Sequence, residues 1–137
     1  ESENPSGWDR VFATHNFHEI NQYYPMRALR NRQFSYFRNL EPALDVPVAS
    51  DVALSPSWKA ITATGAALGR RSLAAFRRRP PEELYDLAAD PDEVVNLAAD
   101  PKHGATLADL RGQLAQWRTT THDPWMAGVT DPFGPAH

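Results

Sequence analysis

One stretch limits what this chain can build. Leu107, Leu110, Leu114 and Trp117 recur at intervals of three, four and three residues, which sets them on one stripe of a 3.6-residue helix. Arg111, Gln113 and Gln116 fall off that stripe. Asp100-Pro101 supplies an N-cap followed by proline at the first helical position, and Thr119-Thr120-Thr121 closes the segment, so a helix is expected over 101–120. A helix with one apolar stripe must bury it against another layer. The rest of the chain has to provide that layer.

The remaining signals are those of strands. Met26 to Leu40 reads as a β-hairpin: Met26 and Ala28 alternate with Arg27 and Leu29, Phe34, Tyr36 and Arg38 alternate with Ser35 and Phe37, and Asn31-Arg32-Gln33 makes the polar turn. Arg10 to Thr14 is a short β-prone run, and Tyr23-Tyr24-Pro25 is expected to break the chain, because proline holds the residue before it in an extended or turn conformation. Glu82 to Leu87 is a compact strand with Leu84 and either Leu87 or Tyr85 inward. Between these lie a loop with Pro42 and Pro47, then a short helix opened by Ser55-Pro56 and marked by Trp58 and Ile61. A ten-residue repeat, Leu87-Ala88-Ala89-Asp90-Pro91 and Leu97-Ala98-Ala99-Asp100-Pro101, offers two Asp-Pro helix starts, the first with Glu93 where a capping-box partner belongs. The expected fold class is α+β: a small antiparallel sheet of three to four strands with a long C-terminal helix packed on one face. The chain divides as an opening loop 1–9, strands and hairpin 10–40, loop and short helix 41–81, a strand 82–87, the helix 101–120 and a tail 121–137.

Composition narrows the function classes. At 137 residues and 42% hydrophobic, the chain holds apolar material for one small core. A formal net charge of −3 argues against a general nucleic-acid binder held by phosphate contacts. The apolar runs are too short for a membrane helix. With no cysteine there is no disulfide, thiolate metal site or cysteine nucleophile. The opening Glu1-Ser2-Glu3-Asn4-Pro5, without an initiator Met or leader, fits a fragment or processed piece.

His15, His18 and Glu19 form the densest polar constellation. Their H-x-x-H-E spacing matches neither H-E-x-x-H nor H-x-x-E-H, so three readings stand: a metal site, a loop bonded to backbone and water, or a recognition element of a larger site. Arg27, Arg30, Arg32 and Arg38 read either as oxyanion ligands or as the charged face of an antiparallel sheet. Arg77-Arg78-Arg79 is followed at once by Glu82, Glu83 and Asp86, which favours local neutralisation. No G-x-S-x-G and no phosphate-cradling glycine loop occurs, so the chain alone is not expected to be an enzyme.

Glu83-Leu84-Tyr85-Asp86-Leu87 with Asp90-Pro91-x-Glu93-x-x-Asn96-Leu97-Ala98 resembles the C-terminal signature of the type I sulfatases. Phe17-His18-Glu19, Tyr23-Tyr24-Pro25-Met26-Arg27 and Thr121-His122-Asp123-Pro124-Trp125 resemble the sulfamate-hydrolysing branch of that family, over about residues 9 to 126. The resemblance implies an accessory C-terminal subdomain that packs on a catalytic domain and helps to enclose a sulfated saccharide, in an exported or lysosomal setting. It implies His18 and Glu19 as substrate-binding residues, with Arg27 and Tyr24 at the domain interface. The family's formylglycine comes from C/S-x-P-x-R, which is absent here, and its calcium is held by acidic motifs such as Asp-Asp that are also absent. Formylglycine and calcium are therefore expected in the catalytic domain, and no catalytic or metal-binding residue in this chain. The alternatives are a stand-alone interaction module, or the same subdomain from a sulfatase of another substrate class.

Overall fold

A computed structural model describes residues 9–19 and 22–127. Most of the expected opening loop and the end of the expected tail, as well as residues 20 and 21, lie outside the described residues. Four strands, β1 (Arg10–His18), β2 (Gln22–Asn31), β3 (Phe34–Asn39) and β4 (Glu82–Asp86), form one antiparallel sheet in the order β1-β2-β3-β4. Three short helices, α1 (Ser50–Leu54), α2 (Pro56–Thr64) and α3 (Leu73–Arg77), lie between β3 and β4, and α4 (Gly104–Thr120) follows β4. The fold is α+β, with four strands and the long helix on the sheet.

The register explains the core. Phe12 pairs with Leu29, Leu29 with Tyr36 and Tyr36 with Leu84, so these four side chains form a row across one face of all four strands. Leu107, Leu110 and Leu114 of α4 are buried against that row, and Trp117 stacks on Phe12 with ring centroids 5.0 Å apart. The period-3.6 stripe and the period-2 alternation thus meet in one apolar layer. The opposite face carries Ser35, Asn39, Glu83 and Tyr85, all buried, beneath the segment holding α2 and α3.

Four local expectations are corrected. The β1 strand runs on to His18, and β2 passes through Pro25 without ending. Between His15/Met26 and Phe17/Tyr23 the register shifts, so that Tyr24 and Pro25 together oppose Asn16. A bulge of this kind absorbs a residue that lacks a ladder donor, which is why proline is tolerated in a central strand here. Residues 50–54 form a helical turn where only loop was expected. The first Asp-Pro copy starts no helix: Asp90 Oδ2 accepts from the amides of Val94 and Val95 at 2.7 Å each, and Glu93 turns left-handed at φ 53° instead of closing a capping box. The segment after it has no apolar stripe to bury. Instead Asn96 lies along β4, accepting from Leu84 N (2.9 Å) and donating to Glu82 O (3.1 Å), which covers the sheet's free edge. The second copy behaves as expected, with Asp100 capping Lys102 N ahead of α4.

Glu82 ties the layers together. Arg111 of α4 grips its carboxylate at 2.8 and 2.7 Å, and the Tyr36 hydroxyl donates to it at 2.6 Å. Arg111 foremost, helped by Tyr36 and against the opposing effect of burial, pulls the Glu82 pKa from 4.5 down to about 2. A carboxylate with a depressed folded-state pKa stabilises fully above its unfolded value and loses that contribution as pH falls toward the folded one. The stability difference between wild type and Arg111→Met, read from urea midpoints, is therefore expected to hold above about pH 4.5 and to shrink toward pH 2. A difference independent of pH across that range would refute the coupling.

Candidate functional site

The β1–β2 end of the sheet gathers the polar residues. His18 closes β1 and is exposed, and Glu19 follows in the left-handed region at φ 60°, an uncommon conformation for a side chain of this kind. Local bonds hold Glu19 there. Its Oε2 accepts from Gln22 Nε2 at 3.0 Å and from the Ser50 hydroxyl at 2.5 Å, so the turn is fastened to the first residue of α1. Both bonds fall on one oxygen, Oε2. Among the described residues no three His, Asp or Glu side chains converge to hold a metal ion. The acidic donor set that a calcium ion needs is thus not found among them, and His15, His18 and Glu19 do not form one.

Beside this turn is a cavity of about 190 Å³, bounded by His15, His18, Gln22, Tyr24 and Met26 on the sheet side, by Val46, Pro47 and Ala49, and by Arg79. The His15 ring donates from Nδ1 to the Tyr24 carbonyl at 2.9 Å, which fixes the imidazole against the bulge. Tyr24, expected at a domain interface, is 1% exposed within this chain. Burial foremost raises its hydroxyl pKa to about 12, with nearby Arg79 opposing and Glu83 adding to the shift. The hydroxyl therefore remains a proton donor at neutral pH.

Arg27, the other residue expected at an interface, is also 1% exposed, and its guanidinium is engaged inside the chain. Nε and Nη2 donate to the two carboxylate oxygens of Asp123 at 2.8 and 2.7 Å, and Nη1 donates to Asn16 Oδ1 at 2.8 Å and to the Met26 carbonyl at 2.9 Å. The tie joins β2 to the segment after α4. Of the other hairpin arginines, Arg30 pairs with Glu93 at 3.0 Å and Arg38 lies 3.9 Å from Glu82, both as exposed cations facing acidic partners. Local neutralisation also holds in the arginine run, where Arg79 lies 3.4 Å from Glu83 and Arg78 pairs with Asp45.

Sequence reasoning missed Gln22, Ser50 and Arg79 at this end. Gln22 carries no motif signal, Ser50 sits 31 residues from Glu19, and Arg79 was absorbed into its charge run. Only the fold brings them together.

No family-level sequence profile matches the chain. Human N-sulphoglucosamine sulphohydrolase is 37% identical over 123 residues, which cover 87% of this chain and 24% of that protein. The chain thus spans about a quarter of the length of this relative. Among solved structures, a 2-O GAG sulfatase matches with a TM-score of 0.51 at 22% identity, over 87% of this chain and 18% of that one. A protein described as a sulfatase of Bacteroides thetaiotaomicron matches with a TM-score of 0.53 at 20% identity, over 93% of this chain and 19% of that one. At these identities the structural likenesses speak for the fold, and the 37% identity carries the kinship. The chain is a relative of the sulfatases, and its partial coverage of them is consistent with a C-terminal sulfatase subdomain.

Proposed function

We propose that the chain is the accessory subdomain of a sulfamidase-like sulfatase, and that it packs on the catalytic domain of the same protein and forms one wall of the pocket for a sulfated saccharide such as an N-sulfoglucosamine unit. The supporting observation is the β1–β2 turn: His18 and Glu19 are both exposed and adjacent, and Glu19 is held in the left-handed region by bonds to Gln22 and Ser50. His18 donates to a sulfamate or carboxylate oxygen, and Glu19 accepts from a sugar hydroxyl or amino group. The bond-breaking groups, formylglycine and calcium, reside in the catalytic domain. Exposed Phe17, Val52 and Leu54, at 37, 45 and 71%, are apolar surface for packing against that domain.

In the full-length enzyme, His18→Ala and Glu19→Ala are each expected to lower kcat/KM toward a sulfamate substrate by about 10- to 100-fold, the loss of one hydrogen bond to a charged group. Both side chains are exposed, so the melting temperature should stay within a few degrees of wild type. Wild-type kinetics in both variants would remove the site assignment. The reading as a stand-alone module is tested by the coding sequence upstream of Glu1: an open frame carrying C/S-x-P-x-R supports the sulfatase, and a stop codon directly before a start at Glu1 supports the module.

A further inference from the structure

We propose that the cavity behind the His18–Glu19 turn is an oxyanion-binding pocket with Tyr24 and Arg79 as its donors, taking a sulfate or carboxylate group. The inference rests on reading this end of the sheet as the ligand-facing one, and it adds the chemistry that the recessed part accepts. Two buried polar atoms point to it: the Tyr24 hydroxyl and Arg79 Nε both lack a hydrogen-bond partner among the described residues, and both residues bound the cavity. Buried donors without acceptors are costly, and a native fold that keeps two of them around one cavity is prepared for an acceptor from outside.

Local charge selects the kind of acceptor. Behind the cavity, the buried Glu83 carboxylate lies 3.4 Å from Arg79 and 3.9 Å from Arg71, so one negative charge faces two positive ones. No carboxylate is among the residues that bound the cavity, and Glu19, next to its lining residue His18, is engaged with Gln22 and Ser50. His15 adds an imidazole whose Nδ1 is committed to the Tyr24 carbonyl, leaving Nε2 as its other polar atom. A cationic guanidinium edge beside a neutral phenol is a donor set for oxyanions. At about 190 Å³ the space is below the roughly 300–1,000 Å³ of sites for drug-sized ligands, and suits a small anion or the acidic substituent of one sugar ring.

Titration of the isotope-labelled chain with sodium sulfate, sodium glucuronate and glucose, at constant ionic strength and followed by amide resonances, tests the proposal. Saturable shifts at the start of β2 with sulfate or glucuronate, and none with glucose, are expected. Saturation with sulfate alone assigns the pocket to sulfate groups, and saturation with glucuronate alone assigns it to sugar carboxylates. Tyr24→Phe removes a hydroxyl that has no partner among the described residues, so it should leave stability unchanged or higher while weakening the anion about tenfold. Arg79→Gln should weaken it at least as much. Tyr24→Phe binding at wild-type strength, glucose as effective as glucuronate, or no saturation with either anion would each overturn the proposal. Binding is read on this chain and turnover on the full enzyme, so the pocket can fail while the His18–Glu19 assignment stands, and the reverse.

Discussion

Asp123→Ala is expected to destabilise the chain by about 3–5 kcal/mol, the usual consequence of leaving a buried charge without its partner. Asp123 is 8% exposed and accepts from Arg27 through both oxygens, at 2.8 and 2.7 Å, and from Arg118 Nε at 2.6 Å. Burial alone would raise its pKa, but the bonds from Arg27 and Arg118 outweigh burial and hold the carboxyl well below the usual range. Removing it strands the guanidinium of Arg27, the largest fully buried side chain, under the Trp125 ring at 5.2 Å. The segment after α4 is pinned to the sheet by this group and by bonds from Trp125 Nε1 to the Tyr23 hydroxyl (3.0 Å) and from Arg118 Nη2 to the Trp125 carbonyl (3.0 Å). Against a total of about 5–15 kcal/mol for a domain, such a loss leaves little reserve. Urea unfolding should show the order Asp123→Ala well above Arg118→Gln, whose side chain is 14% exposed and replaceable by water. The double variant Arg27→Met/Asp123→Leu should recover most of the loss, since apolar replacement of a whole buried pair is often neutral. A single Asp123→Ala within about 1 kcal/mol of wild type would show that water or another acceptor takes over the role of the carboxylate.

That clamp marks where sequence reading stops. The α4 stripe and the hairpin alternation were legible because each is periodic within its own segment, and the two periods suffice to predict one apolar layer. All four members of the row Phe12, Leu29, Tyr36 and Leu84 lie in expected strand segments, yet only Leu84 reads as inward from its own strand, because the face of the other three depends on register. What was not legible is whatever depends on a partner far along the chain. Arg27 resembles any hairpin cation until Asp123, 96 residues away, lies against it. Pro25 predicts a break unless the neighbouring strand permits a bulge. The two Leu-Ala-Ala-Asp-Pro copies carry the same local helix start, and only the apolar stripe after the second decides which one propagates. At the candidate site, His18 and Glu19 stood out as an unusual polar run, whereas Gln22, Ser50 and Arg79 gain meaning only from convergence in space.

The second large effect lies on the sheet face away from α4. Glu83→Ala is expected to cost about 3–5 kcal/mol for the same physical reason as Asp123→Ala, but with different side chains left behind. Glu83 is 2% exposed; it accepts from Asn39 Nδ2 at 2.8 Å and from the Tyr85 hydroxyl, and faces Arg79 and Arg71. Without it, the donors of Asn39, Arg79 and Tyr85 lose a common acceptor, and Arg71 loses a facing charge, in a place that water reaches poorly. Glu83→Gln keeps the shape and one acceptor oxygen, so it should cost about 1–3 kcal/mol. The milder variant separates two roles of the carboxylate. Burial, then the hydrogen bond and charge of Glu83, hold the Tyr85 hydroxyl pKa well above its ordinary value, so the Tyr85 ring in Glu83→Gln should ionise at lower pH than in wild type. The same substitution releases Arg79 from its anionic partner, and an oxyanion in the neighbouring cavity should bind more tightly as a result. Weaker anion binding in a Glu83→Gln chain that keeps its wild-type amide spectrum elsewhere would mean that Glu83 positions Arg79 instead of competing for it. The buried carboxylate would then be a support of the pocket, and its removal would disorder the cation that the pocket needs.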